Sequence, residues 1–163
     1  NKCNFKCRTC WVKLSSSINF ETRTNNLGEY HEEPILNISN YFDFKKMYRD
    51  NIDNLELIEF SGGEVLIMDE HYELLDILLN SNRTDIHLSY NTNMSIMKYK
   101  SYDVLDYWKK WDREKLTIIA SIDEIGNRAE YIRKGTVWNV VEKNLKTIVF
   151  EGFNRKTNIT NIF

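Results

Sequence analysis

The sequence predicts an α/β fold organised on a parallel sheet. Three short apolar runs, at 54–60, 85–90 and 115–121, each give way to a segment with helical periodicity. Strands that alternate with crossover helices lie side by side and parallel, joined by right-handed connections. At 163 residues, 42% hydrophobic and 28% charged, the chain also has the size and composition of one soluble globular domain.

The elements follow in order. Residues 11–40 are rich in Ser and Asn (Ser15, Ser16, Ser17, Asn25, Asn26) and read as loop with one short helix at most. Asp43 can cap a helix over 44–52, where Phe44, Met47 and Tyr48 take the i, i+3, i+4 spacing of one buried face. "NLELIEF" (54–60) is a strand broken by "SGGE" (61–64). A helix resumes at once, with Asp69 and Glu70 in its first turn and Leu74, Leu75, Leu78 and Leu79 as its stripe. "DIHLSY" (85–90) is the next strand, ended by "NTN" (91–93), and Ser101 can cap a helix carrying Val104, Leu105, Trp108 and Trp111. "KLTIIAS" (115–121) reads as a strand covered on both faces. It runs into "IDEIGN", and a Thr136-capped helix follows with Val137, Val140, Val141, Leu145 and Ile148. Trp108, Trp111 and Trp138 read as core, and His71 and His87 as structural or exposed.

The formal charge of −2 comes from 22 basic and 24 acidic residues interspersed along the chain. No single-sign block marks a nucleic-acid surface. No apolar run approaches the roughly 18 residues of a membrane span, and no signal peptide is evident, so a cytoplasmic protein without nucleic-acid or membrane partners is expected. The chain opens on Asn1 rather than Met. A strand leading into its first cysteine is therefore expected to lie outside this sequence.

All three cysteines, Cys3, Cys7 and Cys10, lie within eight residues in the spacing Cys-x3-Cys-x2-Cys. An odd, local set argues against a disulfide framework and for metal or redox chemistry. Thiolates suit zinc or iron–sulfur clusters. Three can hold three irons of a four-iron cubane and leave the fourth open, whereas structural zinc takes four protein ligands, for which His31 is the available addition. The other unusual polar clusters, 61–64, 91–93 and 121–123, all follow strands, and ligands of parallel α/β folds gather at carboxyl strand ends. Gly62 and Gly63 permit close backbone approach, and Glu64 can accept from an ammonium group or simply end a turn in solvent. Asn91 and Asn93 serve turn chemistry first and a site second, and Asp123 can equally start a turn. Arg133 offers a planar fork for a carboxylate.

In combination these residues resemble the radical S-adenosylmethionine (SAM) superfamily. "CNFKCRTC" is similar to its cluster-binding loop, "SGGE" to its glycine-rich motif, and "SIDEIGNRAEYIRKGTVW" to the fourth-strand region of members with SPASM or twitch extensions. The matches keep the family's order and run from Cys3 to Leu145. Thr9 stands where many members have an aromatic residue, and Val65 where a proline commonly follows the glycine motif.

The resemblance implies a partial (β/α)6 TIM-like barrel, with about the first half present as one core domain over 1–163. Cys3, Cys7 and Cys10 would bind three irons of a 4Fe-4S cluster, with SAM chelating the fourth. Reductive cleavage of SAM would then yield a 5′-deoxyadenosyl radical. The chain would be an oxidoreductase-like enzyme modifying a peptide, protein or related small substrate, served by a reductant such as flavodoxin or ferredoxin. Ser61, Gly62, Gly63 and Glu64 would hold the methionine amine, Ser121 and Asp123 the ribose, and Arg133 the carboxylate. Asn91 and Asn93 would face the ligand or substrate. No residue here supports an auxiliary cluster. The competing expectation is a non-catalytic zinc- or iron–sulfur-binding interaction module.

Overall fold

Burial alternates residue by residue along the strands, and this sets how the chain is layered. The computed structural model describes residues 2–12, 15–30, 32, 41–153 and 157–160, leaving aside the side chains of 41–44 and 157–160. In chain order the elements are β1 (Lys6–Cys7), α1 (Ser16–Asn25), α2 (Tyr41–Asn51), β2 (Leu57–Phe60), α3 (Asp69–Asn80), β3 (His87–Thr92), β4 (Lys98–Tyr99), β5 (Tyr102–Asp103), α4 (Val104–Trp108), β6 (Leu116–Ser121), α5 (Gly126–Ile132), β7 (Arg133–Lys134), α6 (Trp138–Phe150) and β8 (Thr157–Thr160). The main sheet has the order β2-β3-β6-β8, and every pairing in it is parallel. The expected α/β class with a parallel sheet is therefore present.

One face of this sheet is core. Ile58, Phe60, Leu88, Tyr90, Leu116, Ile118 and Ala120 pack with Leu74, Leu75 and Leu78 of α3, Val104 and Trp108 of α4, and Val141 and Ile148 of α6. Fully burying a side chain of this size contributes about 1.5–3 kcal/mol. The opposite face carries Glu59, His87, Ser89, Asn91, Thr117, Ile119 and Ser121, which are half-buried or exposed. The third apolar run is thus not covered on both sides: Ile118 and Ala120 face the helices and Ile119 the open side. A run of apolar letters cannot by itself report which side of a strand is covered.

Several boundaries differ from expectation for local reasons. The Ser/Asn-rich segment forms a ten-residue helix, α1, because Ser15 accepts from Ile18 N and Asn26 closes it in the left-handed region. Met47 of α2 is exposed and Tyr48 packs on the core, while the Phe44 side chain lies outside the described residues. A short 3-10 turn, Val65–Ile67, separates "SGGE" from α3. β3 runs on through Asn91 and Thr92. A hairpin of β4 and β5 precedes α4, so Asp103, not Ser101, caps it by accepting from Leu105 N. Thr136 caps nothing: Trp138 N is met by Glu130 Oε1 at 2.8 Å. Val137 and Val140 are exposed, leaving Val141 and Ile148 as the buried part of the α6 stripe.

His71 is buried among Phe60, Tyr72 and Tyr90, with Nε2 3.0 Å from Tyr90 Oη. Burial pushes its pKa down to about 3. The unfolded chain, titrating near 6.5, then binds a proton that the folded chain refuses. Stability is full above pH 6.5 and falls as pH drops toward 3, by up to about 5 kcal/mol. Urea denaturation of wild type and His71→Phe between pH 7 and 4 should differ by this slope, the wild type losing stability relative to the variant as pH falls. Equal slopes in the two proteins would assign the acid sensitivity to another group.

Candidate functional site

Parallel pairing sends the carboxyl ends of β2, β3 and β6 to one edge of the sheet, where the polar clusters 61–64, 91–93 and 121–123 lie. After β2 the chain turns through Ser61, Gly62 and Gly63, with Gly62 at φ 112, a conformation that side-chain-bearing residues rarely adopt. Ser61 and Gly62 are exposed and Gly63 is half-buried. Glu64 then turns inward and is fully buried. Its Oε1 accepts from Thr92 Oγ1 at 2.8 Å and from Leu66 N at 3.3 Å, and its Oε2 accepts from Asn93 N at 2.8 Å. The glutamate of the turn is not solvated; it braces the end of β2 against the end of β3. Burial pushes its carboxyl up to about 7, against the three hydrogen bonds that favour the charged form.

The cysteine loop is fastened to the same edge. Glu64 N donates to Lys2 O at 2.8 Å. Asn93 Nδ2 donates to Asn4 Oδ1 at 2.9 Å, Asn4 Nδ2 to Ser95 Oγ at 2.9 Å, and Ser95 Oγ back to Asn93 Oδ1 at 2.6 Å. From α1, Ser17 Oγ donates to Cys3 O at 2.6 Å. On the far side β1 pairs antiparallel with β7, setting Cys7 opposite Arg133. Gly135, at φ 109, lets this ribbon close: an added Cβ would stand 3.1 Å from Asn4 O and 3.2 Å from the Phe5 ring. Gly135→Ala is therefore expected to cost about 1–3 kcal/mol. It should also loosen the cysteine loop, read by the denaturation midpoint and by the rate at which the three thiols react with an alkylating reagent. Unchanged values for both would remove Gly135 from the loop's support.

All three thiols are free and half-buried. Phe5 N donates to Cys3 Sγ at 3.5 Å, and Cys10 N donates to Cys7 O at 3.1 Å, closing the turn between the last two cysteines. Burial pushes the Cys7 thiol up to about 11, partly opposed by Arg133 and reinforced by Cys3 and Cys10. Cys3 and Cys10 are also raised, chiefly by burial. Among the described residues no three His, Cys, Asp or Glu side chains converge on a single-ion position. Thiolates that each hold a different metal of a cluster stand farther apart than ligands of one ion, and the donor set, three soft ligands on one loop, suits such a cluster. His31, the possible zinc ligand, lies outside the described residues.

Arg133 and Asp123 form a nearly buried pair, with side chains 10% and 7% exposed. Nε donates to Asp123 Oδ2 at 2.8 Å and Nη2 to Oδ1 at 3.2 Å, while Nη1 points to Cys7 Sγ at 3.8 Å. Two of the residues assigned by resemblance to SAM, Asp123 and Arg133, are thus engaged with each other beside the cysteine loop. Ser121 ends β6 on the open face. Asn91 shares that face and donates to Glu59 Oε1 at 3.4 Å. Asn93, by contrast, is buried and spent on Glu64 and Asn4.

Sequence reasoning passed over Asn4, Thr92, Ser95, Ser17 and Gly135. Only Gly135 carried a usable signal, as a lone glycine just before a helical run. The others become recognisable once β3 lies beside β2.

No family model and no curated protein matches the chain. Among solved structures, one described as native anSMEcpe with bound AdoMet shares the fold at a TM-score of 0.58 and 20% identity, over 97% of this chain and 40% of that one. The chain therefore spans about 40% of the length of that structure. Among the described residues, no helix is long and apolar enough to cross a membrane.

Proposed function

We propose that this chain is the cluster- and SAM-binding part of a radical SAM enzyme. The observation that carries the reading is the docking of the three-cysteine loop onto the strand ends, through Lys2, Asn4, Glu64 and Asn93. It brings three free thiols, soft donors by their chemistry, beside the glycine turn and the Asp123–Arg133 pair. The likeness of fold to a structure with bound AdoMet is consistent with the same reading.

Cys3, Cys7 and Cys10 would hold three irons of a 4Fe-4S cluster. Such a cluster, when reduced by a donor such as flavodoxin or ferredoxin, supplies one electron that splits bound SAM into methionine and a 5′-deoxyadenosyl radical. The exposed Ser61–Gly63 backbone would receive the methionine amine, with Glu64 fixing the turn from beneath. Ser121 and Asp123 would lie toward the ribose, and Arg133 would add positive charge near the carboxylate. The sequential strand order and, among the described residues, the packing of α3, α4 and α6 on one face support an arc of a (β/α)6 barrel. Its polar open face, with Glu59, Ser89 and Asn91, would look toward a peptide, protein or small-molecule substrate.

Low-temperature electron paramagnetic resonance of the anaerobically reconstituted, dithionite-reduced protein, with and without SAM, tests this. A reduced four-iron signal that changes shape on adding SAM is expected. Stoichiometric zinc uptake, or a cluster signal indifferent to SAM, would move the cysteines to a structural role in an interaction module.

A further inference from the structure

We propose that Arg133, clamped by Asp123, donates a hydrogen bond to the Cys7 thiolate and so sets the reduction potential of the cluster held there. This rests on the reading of the cysteine loop as a cluster site. Three features of the geometry carry it.

The β1–β7 pairing sets Cys7 opposite Arg133, so backbone hydrogen bonding, rather than a flexible side chain, fixes their proximity. The guanidinium is then oriented: Nε and Nη2 are used by Asp123, and Nη1 remains for Cys7 Sγ at 3.8 Å. Finally, the pair is nearly buried, at 10% and 7% side-chain exposure, where polar interactions are screened less than in water.

Hydrogen bonds to the sulfurs and the net charge beside them tune the potential of an iron–sulfur centre. Adding an electron makes the centre more negative, so an N–H donor and a positive charge favour the reduced state. Arg133 raises the potential and Asp123 moderates it. Asp123 is in this sense a positioning residue: it aims the fork and offsets the guanidinium's charge, and Asp123→Asn keeps an acceptor oxygen for the fork while removing that negative charge.

The two residues therefore shift the potential in opposite directions, which the loss of a purely structural pair would not do. Removing either partner of a structural pair would loosen the same ribbon and shift any readout in the same direction. The test is a redox titration of the reconstituted cluster, followed by electron paramagnetic resonance and independent of turnover, in wild type, Arg133→Gln and Asp123→Asn. The expected result is a lower midpoint potential in Arg133→Gln and a higher one in Asp123→Asn. Shifts of one sign, or none, would overturn the proposal and leave the cluster reading standing. Absence of any cluster in the wild type would overturn both. If Arg133→Gln fails to fold because it strands Asp123, Asp123→Asn decides alone: a rise supports the proposal, and a fall or no change refutes it.

Discussion

Glu64→Ala is expected to destabilise the chain by about 3 kcal/mol or more. Truncation strands three donors, Leu66 N, Thr92 Oγ1 and Asn93 N, at a fully buried position, and each unsatisfied buried group costs about 1–3 kcal/mol. Glu64→Gln is milder, at about 1–3 kcal/mol, since the amide keeps one acceptor oxygen but turns its NH2 toward a donor. The carboxyl also gives this site its own pH dependence. Its pKa is raised from 4.5 to about 7 in the fold, so the folded state retains a proton that the unfolded chain releases. That contribution is full below pH 4.5 and is lost as pH rises through 7, a loss of about 3 kcal/mol. It runs opposite to the His71 slope, so wild-type stability between pH 4.5 and 6.5 should vary less than either group alone would make it. Urea denaturation across pH 4 to 8 checks this. Glu64→Gln should steepen the rise in stability with pH, and a Glu64→Ala protein as stable as wild type would refute the brace.

Under the proposed cluster reading, Cys7→Ala is expected to abolish stable iron loading and SAM cleavage while leaving the fold within about 1 kcal/mol of wild type. The side chain is half-buried and its thiol is held by a loop that has backbone anchors of its own at Lys2, Cys3 and Arg8. A cluster left with two thiolates should be labile. Only the thiolate is a ligand, and burial holds the wild-type Cys7 thiol up at about 11. Loading must therefore release protons and should improve as pH rises from 6.5 to 8.5. Iron and sulfide assays after anaerobic reconstitution, with a thermal melt of each protein, separate loading from folding. Retained turnover of SAM in Cys7→Ala would sink the cluster assignment.

How much of this was legible in advance follows from the range of each interaction. The strand–helix alternation survived because it depends on local periodicity: Leu74, Leu75 and Leu78 recur at helical spacing whatever they pack against. Caps were less secure. Asp103 rather than Ser101 caps α4, since the hairpin at Tyr99 and Tyr102, a long-range aromatic contact of Tyr72, decides where that helix begins. The run 115–121 read as covered on both faces because its letters are apolar, yet among the described residues Ile119 is only half-buried, on the face opposite the helix-packed core.

The sequence by itself determined that three thiols share one loop, that a flexible glycine turn follows a strand, and that polar residues cluster after successive strands. These are facts of spacing, and spacing along the chain is what a sequence records. Only the tertiary structure decided that Glu64 points inward, that Asn4 meets Asn93 across 89 positions, and that Arg133 reaches Asp123 and Cys7 together. Those contacts depend on strand register and on the pairing of two two-residue strands separated by most of the chain. No local pattern encodes them, because the energy that selects them comes from burying the sheet against α3, α4 and α6.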